Sequence, residues 1–388
     1  MMKNDTKTHY LEQILPRYQK ANRLEKKQIL DEFCQVCAYH RKHALRLLNK
    51  KPVPKRKRAT KKKIETRGRK SLYNHESILK PLQAIWRTSG YMCSKKLVVV
   101  IPDWINAYQI HFGTLNPEVL SALQSISSSS LDRLLKYTRV QNKPKGLSGT
   151  RPGTLLKNQI PIKVDHWDVT KAGFLEADTV AHCGQSLAGD FIWSVTLTDI
   201  FTTWTECRAT WNKGSEGVCE KIHHVEQSLP FAILGFDCDN GSEFLNHHLW
   251  RYFTERPEPV QFTRSRPYHS NDNAHVEQKN WTHVRQLFGY ARLAQEKFVD
   301  PMNVIYADWS LYQNHFIPTM KLIEKKRVNS RYQKRYDKPQ TPYQRVLLCA
   351  EVSDAEKERL KALHQTLDPF VLRERILKNS QRISKELF

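Results

Sequence analysis

Long apolar runs are what this sequence lacks first. No stretch of its 388 residues approaches the roughly 18 uninterrupted apolar residues that span a bilayer. Its start, MMKNDTKTHYLEQ, holds no apolar signal-peptide core, so neither membrane insertion nor secretion is expected. Cysteine is sparse too: eight residues lie scattered at 34, 37, 93, 183, 207, 219, 238 and 349, without the regular spacing of a disulfide framework. Reduced thiols in a cytosolic compartment are the expectation. Acidic residues are the third deficit, 39 against 63 Lys and Arg, for a net charge of +24. That imbalance is too large for an ordinary metabolic enzyme and points to a polyanionic partner. At about 100 to 200 residues per domain, the chain has room for two to four.

The charge is unevenly placed. Residues 1–150 carry +21, residues 151–300 carry −4 and residues 301–388 carry +7. A basic arm is thus joined to a slightly acidic middle, which separates a phosphate-gripping part from one that gathers carboxylates. The densest run, Lys50 to Lys70, holds twelve Lys or Arg with Glu65 as its single acid, and Pro52 and Pro54 break any helix there. It reads as a basic linker over 51–70, in which Lys55, Arg56, Lys57 and Arg58 strap DNA phosphates through counterion release. Arg67-Gly68-Arg69 suits a narrow minor groove, since Gly lets the backbone approach and Arg favours that potential. A solvated linker or a localisation-like patch is the plainer alternative.

Helical blocks flank this run. Ile29, Leu30, Phe33, Val36, Cys37, Ala44, Leu45, Leu47 and Leu48 recur at spacings of three and four, the period of a helix. Residues 1–50 resemble a helix-turn-helix whose basic second helix, His40 to Lys50, offers Arg41, Lys42 and Arg46 to base edges. Cys34, Cys37, His40 and His43 have zinc-ligand chemistry. Steps of three, however, spread them around one helix, so Cys34 and Cys37 read as small core residues. Residues 71–150 form a second such unit. ESILKPLQAIWRT and SKKLVVVIPDWINAYQIHFG are helical blocks, with Val98 to Ile101 a possible strand instead. In SISSSSLDRLLKYTRV the serine run should end in an N-cap with Asp132 in the first turn, presenting Arg133 and Lys136 on a second recognition helix. An ordinary three-helix protein-binding module is the alternative.

From residue 165 the pattern turns to strands. GFLEADTVAHCG and FIWSVTLTDIFTTWTECRATWN carry β-branched and aromatic residues in short runs, followed by helical KIHHVEQSL, the apolar run FAILGF and the turn DCDNGSEF. Three strands, a helix and another strand predict a mixed α/β sheet, with a long helix beyond Asn271. Asp178 falls in the first strand, Asp239 just past FAILGF, and Glu277 in the first turns of that helix. Hard oxygen ligands of this kind suit Mg²⁺ or Mn²⁺, and two such ions support in-line displacement at phosphorus. Asp237 and Glu176 compete with Asp239 and Asp178, each two residues away on the same face. Asp165 and Asp168 read as strand-edge or turn carboxylates; Asp199 does too, though it also suits a metal shell. Glu243 reads as a cap of the next helix, and His182 and His269 as structural, with substrate contact as the alternative.

The motifs around the carboxylates carry a resemblance. ADTVAH at 177–182, DNGSEF at 239–244 and NAHVEQKN at 273–280 together resemble the D,D-35-E core of retroviral integrases and bacterial insertion-sequence transposases. The resemblance implies an α/β fold with a ribonuclease H-like catalytic core over 160–300, a mixed five-stranded sheet with helices, preceded by the two helix-turn-helix units and followed by a mainly helical region over 301–388. It implies that Asp178, Asp239 and Glu277 are catalytic residues binding two Mg²⁺ (or Mn²⁺) ions, and that Gly241 fits the turn after the second Asp. Lys279, Asn280 and Arg285 are expected to hold phosphate or base, and Arg264, Arg266, Tyr268 and His269 to position the scissile strand. The function implied is a DNA transposase or integrase, a polynucleotidyl transferase for DNA integration and recombination. Its partners would be double-stranded DNA, at element ends and target, and further copies of itself in a homo-oligomer, in a bacterial cytoplasm and without a membrane. A hydrolytic DNA nuclease on the same fold, or a catalytically silent transposase-derived DNA-binding regulator, are the competing readings.

Overall fold

The computed structural model describes residues 4–49, 73, 76–141, 170–238, 243–244, 246–264, 274–328 and 330–387. The chain divides into two compact units, Met1–Lys70 and Ser71–Phe388.

The first unit is built from three helices, α1 (Asn4–Lys20), α2 (Arg23–Cys37) and α3 (Arg41–Leu48). Asn22 and Glu25 form a reciprocal capping box that starts α2. His40 caps α3 through its ring, which accepts the Lys42 amide N–H. Ile14, Tyr18, Ile29, Leu30, Phe33, Cys37, Ala44 and Leu48 are buried together, which accounts for the three-and-four spacing. Cys37 is fully buried in this core, with Cys34 packed beside it.

The second unit begins with α4 (Glu76–Thr88), α5 (Ser94–Phe112), α6 (Pro117–Gln124), α7 (Ser128–Leu134) and α8 (Lys136–Gln141). Val98 to Ile101 is helix rather than strand, because Val100, Ile101, Trp104 and Ile105 face the same apolar core. The cap at the serine run is Ser127, whose hydroxyl accepts from Ser130 N–H at 3.2 Å. Asp132 therefore lies beyond the first turn, and it pairs with Arg139 and accepts from Ser94.

The mixed sheet follows: β1 (Phe174–Ala181), β2 (Ile192–Asp199), β3 (Thr205–Trp211), β4 (Gly235–Cys238) and β5 (Gln261–Arg264), in the order β3-β2-β1-β4-β5. β1, β2 and β3 pair antiparallel, whereas β4 and β5 run parallel to β1. This is the five-stranded α/β core expected of a ribonuclease H-like fold, with helices before and after it. One face buries Leu175, Ala177, Val195, Leu197 and Phe236 against α9 (Ser215–Ser228) and α10 (His247–Thr254). The opposite face meets α11 (Ala274–Lys279), its continuation to Phe288, and α12 (Val299–Phe316).

Because β3 is an edge strand, its outer backbone groups need partners, and asparagines of α12 supply them. Asn303 accepts from Ala209 N–H at 2.7 Å and donates to Ala209 C=O at 3.1 Å. Asn314 does the same for Thr205, at 3.0 Å in both directions. A buried helix thus caps the sheet edge as a further strand would, and blocks its pairing with another chain. The same helix shares one core with α4 to α7 and with the last helix, through Trp104, Tyr312, Phe316 and Phe370.

After α12 come an antiparallel hairpin, β6 (Leu322–Val328) and β7 (Arg331–Tyr336), and helices α13 (Pro342–Leu347), α14 (Asp354–Thr366) and α15 (Pro369–Leu387). The region is mainly helical, with the hairpin as its one strand pair among the described residues. An Asn314→Ala substitution should destabilise the second unit by about 2–4 kcal/mol, since it leaves a buried amide and carbonyl of Thr205 unpaired. Urea unfolding should register this as a lowered midpoint with an unchanged slope.

Candidate active site

Strand alternation settles which side chains meet. Leu175 and Ala177 enter the core on one face of β1, so Glu176 and Asp178 share the other. Glu176 is 3% exposed and accepts the backbone N–H groups of His275 at 2.9 Å and Val276 at 3.0 Å. It therefore holds the first turn of α11, the helix that carries Glu277. Burial pushes its pKa up to about 8 against these two hydrogen bonds, and the negative charges of Asp237 and Glu277 add to the rise. In the parallel register Glu176 lies beside Asp237, whose Oδ1 accepts from the Thr263 hydroxyl at 2.6 Å. Glu176 thus stands within electrostatic reach of both Asp237 and Glu277.

Asp178 sits one pleat further along. Its Oδ1 accepts from Thr179 N–H at 2.7 Å, and its Oδ2 from Asn280 Nδ2 at 2.5 Å. Asn280 opens a π-helical segment, Asn280–Arg285, inserted in what the sequence reads as one continuous helix; such bulges recur at functional sites. With its nitrogen on Asp178, Asn280 keeps Oδ1 buried with no hydrogen-bond partner among the described residues. Glu277 is exposed, and partial burial still raises its pKa.

Asp239 lies outside the described residues, directly after Cys238 where β4 ends. So do Lys55, Arg56, Lys57, Arg58, Arg67, Arg69, Arg266, Gly241, Tyr268, His269, Asp165 and Asp168; Arg264 belongs to β5, with its side chain likewise outside. Among the described residues, no three His, Cys, Asp or Glu are arranged to hold a metal ion. The donor chemistry nonetheless fits a hard cation: the carboxylates of Glu176 and Asp178 share one face of β1, and beside Asp178 a buried amide oxygen of Asn280 has no hydrogen-bond partner among the described residues.

The basic side chains on the Glu277 helix turn inward, where phosphate contact had been expected of them. Lys279 Nζ donates to Thr203 C=O at 3.3 Å, and burial lowers its pKa to about 7. Arg285 donates to Ala181 C=O at 3.1 Å and lies 4.7 Å over the Tyr290 ring. The cause is packing: this helix lies on β1 and β2, so both donors meet carbonyls of the sheet domain. Elsewhere Lys42, Arg46, Arg133 and Lys136 are exposed, while Arg41 pairs with Asp31.

Of three further residues, Asp199 and His182 take the structural places expected of them and Glu243 does not. Asp199 is fully buried and accepts from the amides of Gly173, Phe174 and Thr202 and from the Thr202 hydroxyl. It closes the β2–β3 turn onto the start of β1, which leaves it no role in a metal shell. Glu243 does not cap the next helix. Asn246 does so, accepting from Leu249 N–H at 2.9 Å, and the Glu243 carboxylate instead takes the Thr179 hydroxyl and Lys213. His182 is structural: its Nε2 shares a hydrogen bond with Ser194, and burial lowers its pKa to about 3.

Glu176 as the anchor of α11 was missed by sequence reasoning, which weighed it only as a rival to Asp178. Period two placed it on the right face, yet nothing local to LEAD reveals amides arriving from residue 275. Glu176→Ala should cost about 2–4 kcal/mol by stranding two buried N–H groups. Glu176→Gln keeps an acceptor for the two amides and should retain most of the stability; denaturant melts of both variants check this.

No family model matches the chain. It is 35% identical over 350 residues, 88% of this chain and 95% of the other, to "Uncharacterized protein y4rM" of Sinorhizobium fredii (strain NBRC 101917 / NGR234). The crystal structure of the catalytic core domain of BIV integrase is similar over 44% of this chain and 91% of that one, at 12% identity and a TM-score of 0.28. Identity at this level over nearly the whole of both chains places the protein in one family with the Sinorhizobium fredii protein y4rM.

Proposed function

We propose that the chain is a DDE-type polynucleotidyl transferase, a transposase or integrase that cuts and joins DNA. The observation that carries the reading is the meeting of Asp178 on β1 with the Glu277 helix, through Asn280 on Asp178 and Glu176 on the helix start. Asp239 is the third member by its place in DNGSEF, immediately after the strand that pairs with β1. Asp178, Asp239 and Glu277 would hold two Mg²⁺ or Mn²⁺ ions. Bound there, the ions supply charge stabilisation and activate the attacking oxygen for displacement at phosphorus.

The chain's own groups prepare that site. Asn280 fixes the rotamer of Asp178, Glu176 seats the helix of Glu277, and Thr263 holds Asp237 as a supporting carboxylate. Lys42 and Arg46 on α3, Arg133 and Lys136, and the basic run over 51–70 each supply DNA contacts in this reading, with 1–50 and 71–150 as helix-turn-helix units and 160–300 as the catalytic core. A bacterial cytoplasmic protein acting as a homo-oligomer on two DNA ends completes the proposal. Among the described residues no helix is long and apolar enough to cross a membrane.

Labelled duplexes carrying the element's own ends, a supercoiled target and Mn²⁺ or Mg²⁺ test the reading. Asp178→Asn, Asp239→Asn and Glu277→Gln should each lower joining by about a thousandfold or more, since metal charge stabilisation is worth several kcal/mol. Nicking without joined products would identify a hydrolytic nuclease instead. End binding with neither would leave a DNA-binding regulator. Asn280→Ala should reduce joining by about 10- to 100-fold, the usual effect of losing an outer partner of a metal ligand, with the melting temperature little changed.

A further inference from the structure

The β6–β7 hairpin is a sheet with almost no hidden side. Every residue of both strands is exposed except Lys325, which is half-buried. An isolated two-stranded ribbon is marginally stable in water, so this one depends on its root. There Lys321 N–H donates to Asp337 Oδ1 at 2.6 Å, Arg345 donates to Asp337 Oδ2 at 2.6 Å, and the Lys321 ammonium donates to Phe201 C=O at 2.9 Å. The Thr319 hydroxyl meets the Thr203 hydroxyl at 2.7 Å. Thr203 is the residue whose carbonyl takes Lys279 of the Glu277 helix. The ribbon is thereby fastened to the turn that also braces the candidate active site.

Its charge is one-signed. Lys325, Lys326, Arg327, Arg331, Lys334 and Arg335 face a single acid, Glu324. Cross-strand register divides them. Lys325 stands opposite Lys334 and Arg327 opposite Tyr332 on one side, while Glu324, Lys326 and Val328 oppose Arg335, Gln333 and Arg331 on the other. Glu324 pairs with Arg335 at 3.4 Å, so the acid serves the second side. On the first, two lysines lie directly opposite each other, an arrangement that destabilises a sheet unless an anion intervenes. The Lys325 ammonium leans 4.5 Å over the Tyr332 ring, which keeps the cation on that face beside an aromatic surface.

We propose that the Lys325, Arg327, Tyr332 and Lys334 face of this hairpin binds duplex DNA as a β-ribbon laid in the major groove. A two-stranded ribbon fits that groove, about 12 Å wide, and the absence of acid on the face matches a phosphate-lined wall. The inference rests on the DNA reading above but not on catalysis, and its test is kept separate from strand transfer.

The experiment uses the full chain carrying Asp178→Asn, in chelator, with a fluorescent 30-base-pair duplex. Binding by anisotropy is measured across a salt series for this protein, for a Lys325→Gln, Arg327→Gln, Lys334→Gln triple variant, and for an opposite-face Lys326→Gln, Arg331→Gln, Arg335→Gln triple. Loss of three phosphate contacts should weaken affinity at least tenfold near physiological salt and reduce the slope of log Kd against log salt by about 2 to 3. The opposite-face variant should change less, and both should keep the parental melting temperature. A benzophenone amino acid at Tyr332 should photocrosslink to the duplex, a readout that survives even if a triple variant misfolds. An unchanged salt slope in a folded first-face variant, equal losses from the two faces, or crosslinking and binding to phosphatidylserine vesicles in place of DNA would each overturn the proposal. Normal duplex binding through this face with no joining in the separate assay would overturn the catalytic reading alone.

Discussion

Two backbone N–H groups ending on one buried carboxylate hold the site together. Glu176 lies on the central strand, and the amides of His275 and Val276 belong to a helix almost a hundred residues later. A carboxylate with little solvent is costly unless its lone pairs are used, so this contact is tolerated only while the helix start stays in place. Once it is there, the helical repeat carries Asn280 to Asp178 and Lys279 to the Thr203 carbonyl. One contact therefore sets the register of everything downstream on that face.

A second constraint comes from the sheet edge. Asn303 and Asn314 are eleven residues apart on α12, three turns of helix, and each completes both hydrogen bonds of a β3 residue. The helix so fixed is the same one against which the N-terminal helices of this unit and α15 pack. Polar pairing on one face and apolar burial on the other make α12 the element common to the sheet and the helical layers. Its Ser310 and Tyr306 extend the polar side to Glu206 and Ser194.

Legibility in the sequence followed the range of the interactions. Period-two alternation across FLEADTVA and IWSVTLTD marked β1 and β2, and three-and-four spacing marked α2 and α3, because these patterns arise from each element's own exposure. The strand after α9 was displaced: FAILGF reads as the strand, yet pairing begins only at Gly235 and runs to Cys238. Its position is governed by the β1 register rather than by hydrophobicity, with Phe236 buried and Asp237 turned to Glu176. The π segment was equally invisible, since an extra residue per turn leaves no compositional trace. The inward turn of Lys279 and Arg285 was invisible too, because the carbonyls they meet, those of Thr203 and Ala181, lie 76 and 104 residues away.

The sequence by itself determined the first three strands of the sheet, the carboxylates that share a face of β1, the basic arm and the resemblance in ADTVAH, DNGSEF and NAHVEQKN, all of which depend on neighbours within a few positions. Tertiary structure alone decided which carboxylate anchors the Glu277 helix, that Asp199 closes a turn, that asparagines finish the sheet edge and that the last strands stand out as an acid-poor ribbon. Each of these joins residues far apart in the chain. Such pairings follow from where backbone donors and acceptors come to rest, which only the folded chain specifies.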